Sequence, residues 1–368
     1  MRIVHYYPSA LRGEFGTANA VREWCRALAA IGVQVALVAD SKTMTLPPPE
    51  GVDFFPLKRR FLTKSLVTSG DLSIRDADAV VLHGGWNPEV IIAARVARKQ
   101  HVPYVVVPHG VYDTPVVQRH ARRKKVWWRL FEHNYLIRAV ALHCFFERER
   151  DQIRSLGVAT PSILAPNGYA APSRFTWMGD DNDGYLLWLG RFDLEQKGID
   201  LLIKAVGALP AEKRPRIRLV GVDWRRQKAK AIRLVNELRL REWITIESPV
   251  YGDEKWKLLS QSRGFLYPSR WEGSPFSVVE AVSIGTPTLV TPFELGRFLA
   301  SHGAVILTQA NVASLSEGLT QLMDPDSVKV GMRGAEVVRE QLSWDTLAHS
   351  WVNQIEPILA ARRSVDLP

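Results

Sequence analysis

Two glutamates lie eight residues apart around a predicted loop-to-helix junction. Glu272 and Glu280 occur in the string Tyr-Pro-Ser-Arg-Trp-Glu-Gly-Ser-Pro-Phe-Ser-Val-Val-Glu-Ala. The apolar run at 265–267 predicts a short strand, residues 268–275 are turn formers, and the spacing from Phe276 to Ile284 predicts a helix. Glu272 is therefore expected in a loop, and Glu280 one turn inside a helix.

The start of that helix predicts an anion site, because the free backbone N–H groups of a first helical turn favour negative charge. A carboxylate at Glu280 suits the two vicinal hydroxyls of a ribose, and Glu272 suits the hydroxyls of an attached sugar. The alternative is a helix-capping loop with two solvated carboxylates. The donor-binding candidates are Glu280, Ser274, Pro275, Phe276, Ser277 and Val278.

A second string, Gly-Arg-Phe-Asp-Leu-Glu-Gln-Lys-Gly, follows a predicted strand at 185–189. It places Arg191 and Lys197 at the carboxyl end of a strand before a helix, where anions bind in open α/β sheets. Two solvated loop cations are the alternative.

Four further residues lie at the ends of predicted strands or just before predicted helices. His109 ends a buried-type strand in Val-Val-Pro-His-Gly, although a single histidine is more often structural. Gly16, in the loop from Arg12 to Thr17, lets the backbone approach a ligand closely. Trp86 and Asn87 follow the strand at 79–82 and suit a sugar acceptor stacked on an indole, although a plain helix-start turn explains them equally well.

The E-x7-E string resembles the signature of the retaining GT-B glycosyltransferases, specifically glycosyltransferase family four, the glycosyl transferases group 1. The strings around Arg191, Lys197 and His109 also resemble that family. The resemblance implies that Glu280 binds the donor ribose, that Glu272 lies beside the donor sugar, and that the backbone at 274–278 holds sugar and phosphates.

By the same resemblance, Arg191 and Lys197 neutralise the departing diphosphate and His109 contacts the donor sugar as a positioning group. The family usually has adjacent glycines in its first loop, whereas Gly13 and Gly16 are separated here; Gly16 is the favoured phosphate contact. No cofactor and no metal are expected, with a nucleoside diphosphate sugar as donor substrate.

Length and composition limit the number of domains, the kind of partner and the location of the protein. A chain of 368 residues favours two domains, and a net charge of +10 with a pI near 9.7 suits phosphate-rich partners. The sequence has neither an arginine-rich tail nor an RNA-binding signature, so nucleic acid is not an expected partner. Two cysteines without metal spacing, and a start that lacks a signal-type apolar core, predict a cytoplasmic protein.

Alternating strand and helix patterns predict an α/β protein with two parallel-sheet domains. The resemblance implies that these are the two Rossmann-like domains of the GT-B class, facing across a cleft. The expected domains are an acceptor-binding domain at 1–170 and a nucleotide-sugar domain at 171–345. The resemblance implies that a C-terminal helix at 346–368 returns to the first domain, and the lack of apolar periodicity at residues 173–183 predicts a linker.

The predicted function is retaining, metal-independent hexosyl transfer from a UDP- or GDP-sugar to a hydroxyl of a glycan or lipid-linked saccharide, in cell-surface polysaccharide or glycolipid synthesis. The alternatives are a nucleotide-sugar epimerase or hydrolase on the same fold, and a non-catalytic nucleotide-binding membrane adaptor. The sequence leaves the base, sugar, acceptor, linkage and oligomeric state open.

A basic segment from Arg119 to Arg129 opens a predicted helix and carries two tryptophans. Cations and indoles at this spacing suit the headgroup region of an anionic membrane, and so predict a peripheral position on the inner face of the membrane. The alternative is an ordinary helix whose tryptophans pack into the first domain. The predicted contacts are Arg122, Arg123, Lys124, Lys125, Trp127 and Trp128.

Overall fold

The computed structural model describes residues 1–12, 16–57, 59–60, 63–64, 73–169, 172, 174–179 and 184–365. The chain divides into two compact units. The first comprises residues 1–168 together with 344–368, and the second comprises residues 169–343.

The first unit is built on seven parallel strands. Runs such as Ala-Val-Val-Leu-His and Tyr-Val-Val-Val are buried along their whole length, as expected for a parallel sheet covered on both faces. Its strands are β1 (Arg2–Ala10), β2 (Gln34–Asp40), β3 (Asp53–Pro56), β4 (Arg59–Arg60), β5 (Thr63–Lys64), β6 (Ala79–His83), β7 (Tyr104–Val107), β8 (Ala141–Cys144) and β9 (Ser162–Leu164). The sheet order is β3-β2-β1-β6-β7-β8-β9, and β4 pairs antiparallel with β5.

The helices of this unit are α1 (Gly16–Ala30), α2 (Pro88–Lys99), α3 (Thr114–Gln118), α4 (Ala121–Trp127), α5 (His133–Ile137) and α6 (Glu147–Ser155). The sequence predicted a helix that opens in the basic segment from Arg119 to Arg129, whereas the structure has several short helical elements there. His120 adopts a left-handed conformation with φ of 59° and separates α3 from α4, and a π-helical turn at Trp128–Glu132 joins α4 to α5.

The second unit has six parallel strands, in the order β12-β11-β10-β13-β14-β15. They are β10 (Tyr185–Phe192), β11 (Arg216–Asp223), β12 (Ile244–Glu247), β13 (Gly264–Tyr267), β14 (Thr288–Val290) and β15 (Ile306–Leu307). The helices are α7 (Leu194–Lys197), α8 (Ile199–Ala208), α9 (Gln227–Glu237), α10 (Gly252–Gln261), α11 (Phe276–Ser283), α12 (Glu294–Ser301), α13 (Val312–Met323) and α14 (Ser327–Gln341). Within the predicted linker, residues 174–179 form one turn and otherwise irregular chain, and 173 and 180–183 lie outside the described residues.

The last helix, α15 (Trp344–Val365), belongs to the first unit, as the sequence predicted. Trp344 packs edge-on against Trp24 of α1, with ring centroids 5.4 Å apart. Further along, Gln354 exchanges hydrogen bonds with the backbone of Leu164 in β9. The side chain of Asn167 accepts a hydrogen bond from the Trp24 indole at 3.2 Å, which ties the Pro-Asn-Gly segment at 166–168 to α1.

Candidate functional site

Arg191 and Lys197 lie where β10 ends, as the sequence predicted. Arg191 is the last but one residue of the strand, and Asp193 caps the short helix α7 by accepting a hydrogen bond from the backbone N–H of Gln196 at 3.2 Å. Because β10 lies at the centre of its sheet, its carboxyl end is flanked by the ends of β11 and β13. The string therefore places two cations beside the loop that carries Glu272.

Lys197 and Glu272 form an ion pair with only 11% and 10% of their side chains exposed. The Lys197 ammonium donates to Glu272 Oε1 at 2.5 Å and to the Tyr267 hydroxyl at 2.7 Å. Burial alone would lower the pKa of Lys197, but the charge of Glu272 and the contact with Tyr267 outweigh it and raise the pKa above its ordinary value. Lys197 is therefore a fixed positive charge, held by two of its three donors.

Gly198 permits this close approach. Its φ is +63°, and a Cβ built at this position would lie 1.9 Å from the carbonyl oxygen of Pro268, at the end of β13. Only glycine adopts this conformation without strain while leaving space for the neighbouring backbone. The glycine after Lys197 thus brings the two predicted strings together.

A second brace, which the sequence reasoning missed, comes from Arg270. Its guanidinium makes a bidentate contact with Asp200 of α8, both distances being 2.8 Å, and its backbone N–H donates to Gln196 O at 2.8 Å. The paired planar geometry fixes the orientation of the loop as well as its position. The partners are 70 residues apart in sequence, and no local pattern links them.

Arg191 extends over the indole of Trp224, with the guanidinium carbon 4.5 Å from the ring centroid, and donates to Gln196 Oε1 at 2.9 Å. Its Nε is buried and has no hydrogen-bond partner among the described residues. The stacking holds a guanidinium at the strand end with one donor not used by the described part of the protein.

The helix α11 begins at Phe276, as predicted, with Pro275 as its N-cap. Val278 donates its backbone N–H to Pro275 O at 3.2 Å, and the residue before the cap, Ser274, has a buried hydroxyl without a partner in the described ranges. A helix start with an unused hydroxyl beside it suits an anionic oxygen. Ser274, Pro275, Phe276, Ser277 and Val278 are all half-buried or buried here.

Glu280 lies one turn inside α11, where the sequence placed it, and it has a partner that the sequence reasoning did not anticipate. Lys255 of α10 donates to Glu280 Oε1 at 2.6 Å, and the two side chains are 26% and 14% exposed. One carboxylate oxygen is engaged by this lysine, and Oε2 has further acceptor capacity.

In the first unit, His109 follows β7 and takes a left-handed conformation with φ of 57°. The next residue, Gly110, donates its backbone N–H to Glu149 Oε1 at 2.8 Å, and Glu149 Oε2 accepts from Phe145 N at 2.8 Å. Burial raises the pKa of Glu149 to about 7, although these N–H groups oppose the shift. Glu149, on α6, therefore holds the Pro-His-Gly turn in place.

His109 is also hydrogen-bonded to a second imidazole, His83, with 2.9 Å between Nε2 and Nδ1. Burial, with the neighbouring His143 as a smaller cause, lowers the pKa of His109 to about 3. The imidazole is therefore neutral at neutral pH.

Trp86 and Asn87 follow β6 and serve the local structure. The Trp86 indole donates to Val111 O at 2.9 Å and packs against the rings of Tyr112 and Trp128. Asn87 caps α2 by accepting from Glu89 N at 2.8 Å. These contacts agree with the helix-start alternative, and a role in acceptor binding stays a prediction.

A buried carboxylate organises this loop. Glu132 accepts hydrogen bonds at 2.6 Å from Trp86 N, the Tyr112 hydroxyl and the Trp127 indole N–H. Burial raises its pKa above the ordinary value, although these three donors oppose the shift. No local sequence pattern marks Glu132, because its partners converge from three separate segments.

Gly16, the predicted phosphate contact, lies at the start of a described range of the chain. Gly16 is the first residue of α1 and has open space around its Cα, whereas Gly13 lies outside the described residues. In the described ranges, no three His, Cys, Asp or Glu side chains are arranged to hold a metal ion. In those same ranges, no helix is long and apolar enough to cross a membrane.

Two family models match consecutive regions of the chain. Residues 173–333 match the model described as glycosyl transferases group 1, and residues 15–168 match the glycosyl transferase 4-like domain. The chain belongs to the group 1 glycosyltransferases. This confirms the family that the spacing of Glu272 and Glu280 indicated.

Two curated relatives of this glycosyltransferase are named mannosyltransferases. The O-antigen chain mannosyltransferase B of Escherichia coli is 25% identical over 46% of this chain and 45% of that protein. The MMP alpha-(1->4)-mannosyltransferase of Mycolicibacterium hassiacum is 27% identical over 46% of this chain and 42% of that protein. The matched region spans less than half the length of either relative.

Solved structures confirm the predicted GT-B fold of this glycosyltransferase. Sucrose-phosphate synthase from Thermosynechococcus elongatus aligns with a TM-score of 0.75 and 18% identity, over 98% of this chain and 99% of that one. The Anabaena protein HepE in complex with UDP-glucose aligns with a TM-score of 0.73 and 13% identity, over 97% of this chain and 100% of that one. At these identities the likeness shows the fold alone.

Proposed function

We propose that this glycosyltransferase moves a hexosyl group from a nucleoside diphosphate sugar to a hydroxyl of a glycan or lipid-linked saccharide, with retention at the anomeric carbon and without a metal ion. The observation that carries the proposal is the buried pair of Lys197 and Glu272 beside the start of α11. It joins a fixed cation, a carboxylate and a helix N-terminus at one sheet edge.

The cations, the helix start and the two glutamates have separate roles in this reaction. Arg191, Lys197 and the first turn of α11 stabilise the diphosphate as negative charge grows on it, which is where electrostatic stabilisation lowers the barrier most. Glu272 accepts from hydroxyls of the donor sugar, and Glu280 accepts from the ribose. Retention follows the family resemblance, in which the departing phosphate takes the proton of the acceptor hydroxyl.

Relatives suggest which donors to test first. Two curated relatives are named mannosyltransferases, and one structural neighbour was solved with UDP-glucose. We therefore place mannosyl and glucosyl donors at the head of the panel, with a role in cell-surface polysaccharide or glycolipid synthesis as the proposed context.

The first test is a thermal-shift panel of nucleoside diphosphates and their sugars. A ligand at 100 times its dissociation constant stabilises a protein by about 2.7 kcal/mol, which raises Tm measurably. The best donor is then incubated with saccharide and lipid-linked acceptor pools. A larger glycoside supports the proposal, a new sugar nucleotide indicates an epimerase, free sugar in every pool indicates a hydrolase, and binding without turnover indicates an adaptor.

The structure revises the residues of the proposed membrane contact. The indoles of Trp127 and Trp128 pack against the core of the first unit, whereas Val126 and Leu130 are 59% and 61% exposed. Lys124 is also turned inward, with its ammonium 4.9 Å from the Trp86 ring centroid. The surface that remains is cationic with two aliphatic side chains, and consists of Arg122, Arg123, Lys125, Val126, Arg129 and Leu130.

This surface suits an anionic leaflet, because each nearby Lys or Arg contributes about 1 kcal/mol. We expect the protein to float with anionic vesicles at low salt and to be released at high salt. Changing Arg122, Arg123 and Lys125 to Ser should weaken binding by roughly a hundredfold. Lys204, Lys213 and Lys329, all exposed, give a control variant with the same change of charge. Equal loss in both variants, or no flotation at low salt, contradicts the membrane contact.

A further inference from the structure

Three histidines form a hydrogen-bonded line across neighbouring strands of the first unit. His5 lies on β1, His83 is the last residue of β6, and His109 follows β7, and these strands are adjacent in the sheet. His5 Nδ1 is 2.9 Å from His83 Nε2, and His83 Nδ1 is 2.9 Å from His109 Nε2. Both pairs of rings are stacked, with centroids 5.2 Å apart.

All three imidazoles of this line are neutral at neutral pH. Burial, with His143 as a smaller cause, lowers the pKa of both His5 and His109 to about 3, and burial lowers the pKa of His83 well below its usual value. A neutral imidazole has one N–H donor and one bare nitrogen acceptor. His83, which is bonded on both sides, must therefore donate to one neighbour and accept from the other.

Only two arrangements satisfy both hydrogen bonds. In the outward arrangement, His5 donates to His83 and His83 donates to His109, so the proton of His109 is on Nδ1. In the inward arrangement, His109 donates from Nε2, and the last proton of the line is on His5 Nε2. The tautomer of His109 is thus coupled to that of His5, two strands away.

The inner end of the line decides between the arrangements. His5 Nε2 is buried and has no hydrogen-bond partner among the residues that the structure describes. A buried N–H without an acceptor is rarer and more costly than an acceptor without a donor. The inward arrangement would put a proton on this nitrogen, and the outward arrangement leaves it bare.

We infer that His5 and His83 are positioning residues that hold His109 in the tautomer with its proton on Nδ1, so that His109 meets an oxygen of the donor sugar as a hydrogen-bond donor. The part that concerns the sugar rests on the proposed function. In this tautomer Nε2 is occupied by His83, and His109 is a neutral donor rather than a general base.

Nitrogen NMR of the full chain labelled with 15N-histidine tests the tautomer directly, because protonated and bare ring nitrogens have well-separated shifts. We expect His109 to carry its proton on Nδ1. His143, whose Nε2 is 2.8 Å from Ala165 O, should carry its proton on Nε2 and serves as the internal reference. A His109 protonated on Nε2, or an even mixture of tautomers, overturns the inference.

Two substitutions at His83 extend the test to the reaction. In His83→Asn the amide takes the place of Nδ1 and can still donate to His109, whereas His83→Phe cannot. We expect the Asn variant to keep the His109 tautomer and the Phe variant to lose it, with a roughly tenfold lower kcat for Phe than for Asn. Equal kcat in both variants overturns the positioning role.

The two parts of the inference fail separately. If no sugar transfer is found, the NMR result still decides the tautomer. If His83→Phe does not fold, the wild-type spectrum and His83→Asn remain. A wild-type spectrum with the predicted tautomer, together with a His109→Phe variant that keeps the kcat of the wild type, would place His109 outside the reaction.

Discussion

The two units of this glycosyltransferase hold their buried and half-buried ionisable residues in opposite electrostatic states. In the second unit, charges are kept and paired: Lys197 with Glu272, Lys255 with Glu280, and Arg270 with Asp200. In the first unit, burial favours the neutral forms of the imidazoles of His5, His83, His109 and His143 and raises the pKa values of Glu132 and Glu149.

The difference shows two ways of preparing a site. Paired charges near a helix start can stabilise a diphosphate, because the cation keeps its charge at every physiological pH. Neutral imidazoles joined in a line have no net charge with which to stabilise a diphosphate, but the direction of each hydrogen bond between them is fixed. The first arrangement suits charge that develops during a reaction, and the second suits the recognition of hydroxyl groups.

The largest effect should come from removing a cation of the second unit. Lys197→Ala and Arg191→Ala each remove a charge-assisted contact to the departing diphosphate, worth about 3 to 4 kcal/mol, and kcat should fall by about 10² to 10³. Steady-state kinetics with the best donor measure this. Lys329→Ala, which removes an exposed cation paired with Asp326, is the control and should leave kcat unchanged. A variant at Lys197 or Arg191 that keeps more than about a third of wild-type kcat removes that residue from the diphosphate site.

The next effect concerns the backbone contact that brings the charged groups together. Gly198→Ala should lower the free energy of unfolding by at least about 3 kcal/mol, because its Cβ would overlap Pro268 O in addition to the strain of positive φ. Gly252 has a similar φ of +55° and nothing within 4 Å of its Cβ. Gly252→Ala should therefore cost only about 1 kcal/mol. Urea unfolding of the two variants measures the difference, and equal losses would show that the overlap is relieved by movement.

The neutral groups of the first unit predict an unusual dependence of stability on pH. Folding lowers the pKa of His5 and His109 to about 3 and that of His143 to about 4, from 6.5. Their contribution is fully present above pH 6.5 and is lost as pH falls, by about 1.4 kcal/mol per pH unit for each group. Glu149 has the opposite sign, since its pKa is raised from 4.5 to about 7, and its contribution is lost as pH rises through that window.

The imidazoles outnumber the carboxyls, so stability should fall between pH 6.5 and 5. Urea unfolding at pH 7.5 and pH 5 measures the fall. His5→Phe should make it smaller, and Glu149→Gln, which removes the opposing contribution, should make it larger. A protein that is more stable at pH 5 than at pH 7.5 would show that the carboxyls dominate the first unit.

The smallest effect should come from the partly exposed pair in the second unit. Lys255→Met leaves Glu280 without its partner, and partly exposed ion pairs contribute up to about 1 kcal/mol. The donor KM should rise by about fivefold or less, with little change in kcat, because the proposed ribose contact is made in both ground and transition states. A fall in kcat that exceeds the rise in KM would place Lys255 at the diphosphate instead.

The sequence predicted the parts of this molecule that local patterns encode. Buried runs located β6, β7, β10 and β13, and the sequence of strand, turn and helix patterns placed Glu272 in a loop and Glu280 in α11. The contacts that hold these groups were not predictable, because Arg270 meets Asp200 and His5 meets His83 across 70 and 78 residues. The packing of Trp127 and Trp128 agrees with the alternative that the sequence left open, in which both indoles pack into the first domain.

Calorimetric titration of nucleoside diphosphates into the wild-type protein and into Glu280→Gln tests the central claim most directly. The account predicts that at least one nucleoside diphosphate binds the wild type, and that Glu280→Gln, with its fold intact by circular dichroism, binds it about tenfold more weakly. Lys329→Ala should bind it as the wild type does. Absence of binding to the wild type, or equal affinity for Glu280→Gln, would contradict the assignment of this site to a nucleotide-sugar donor.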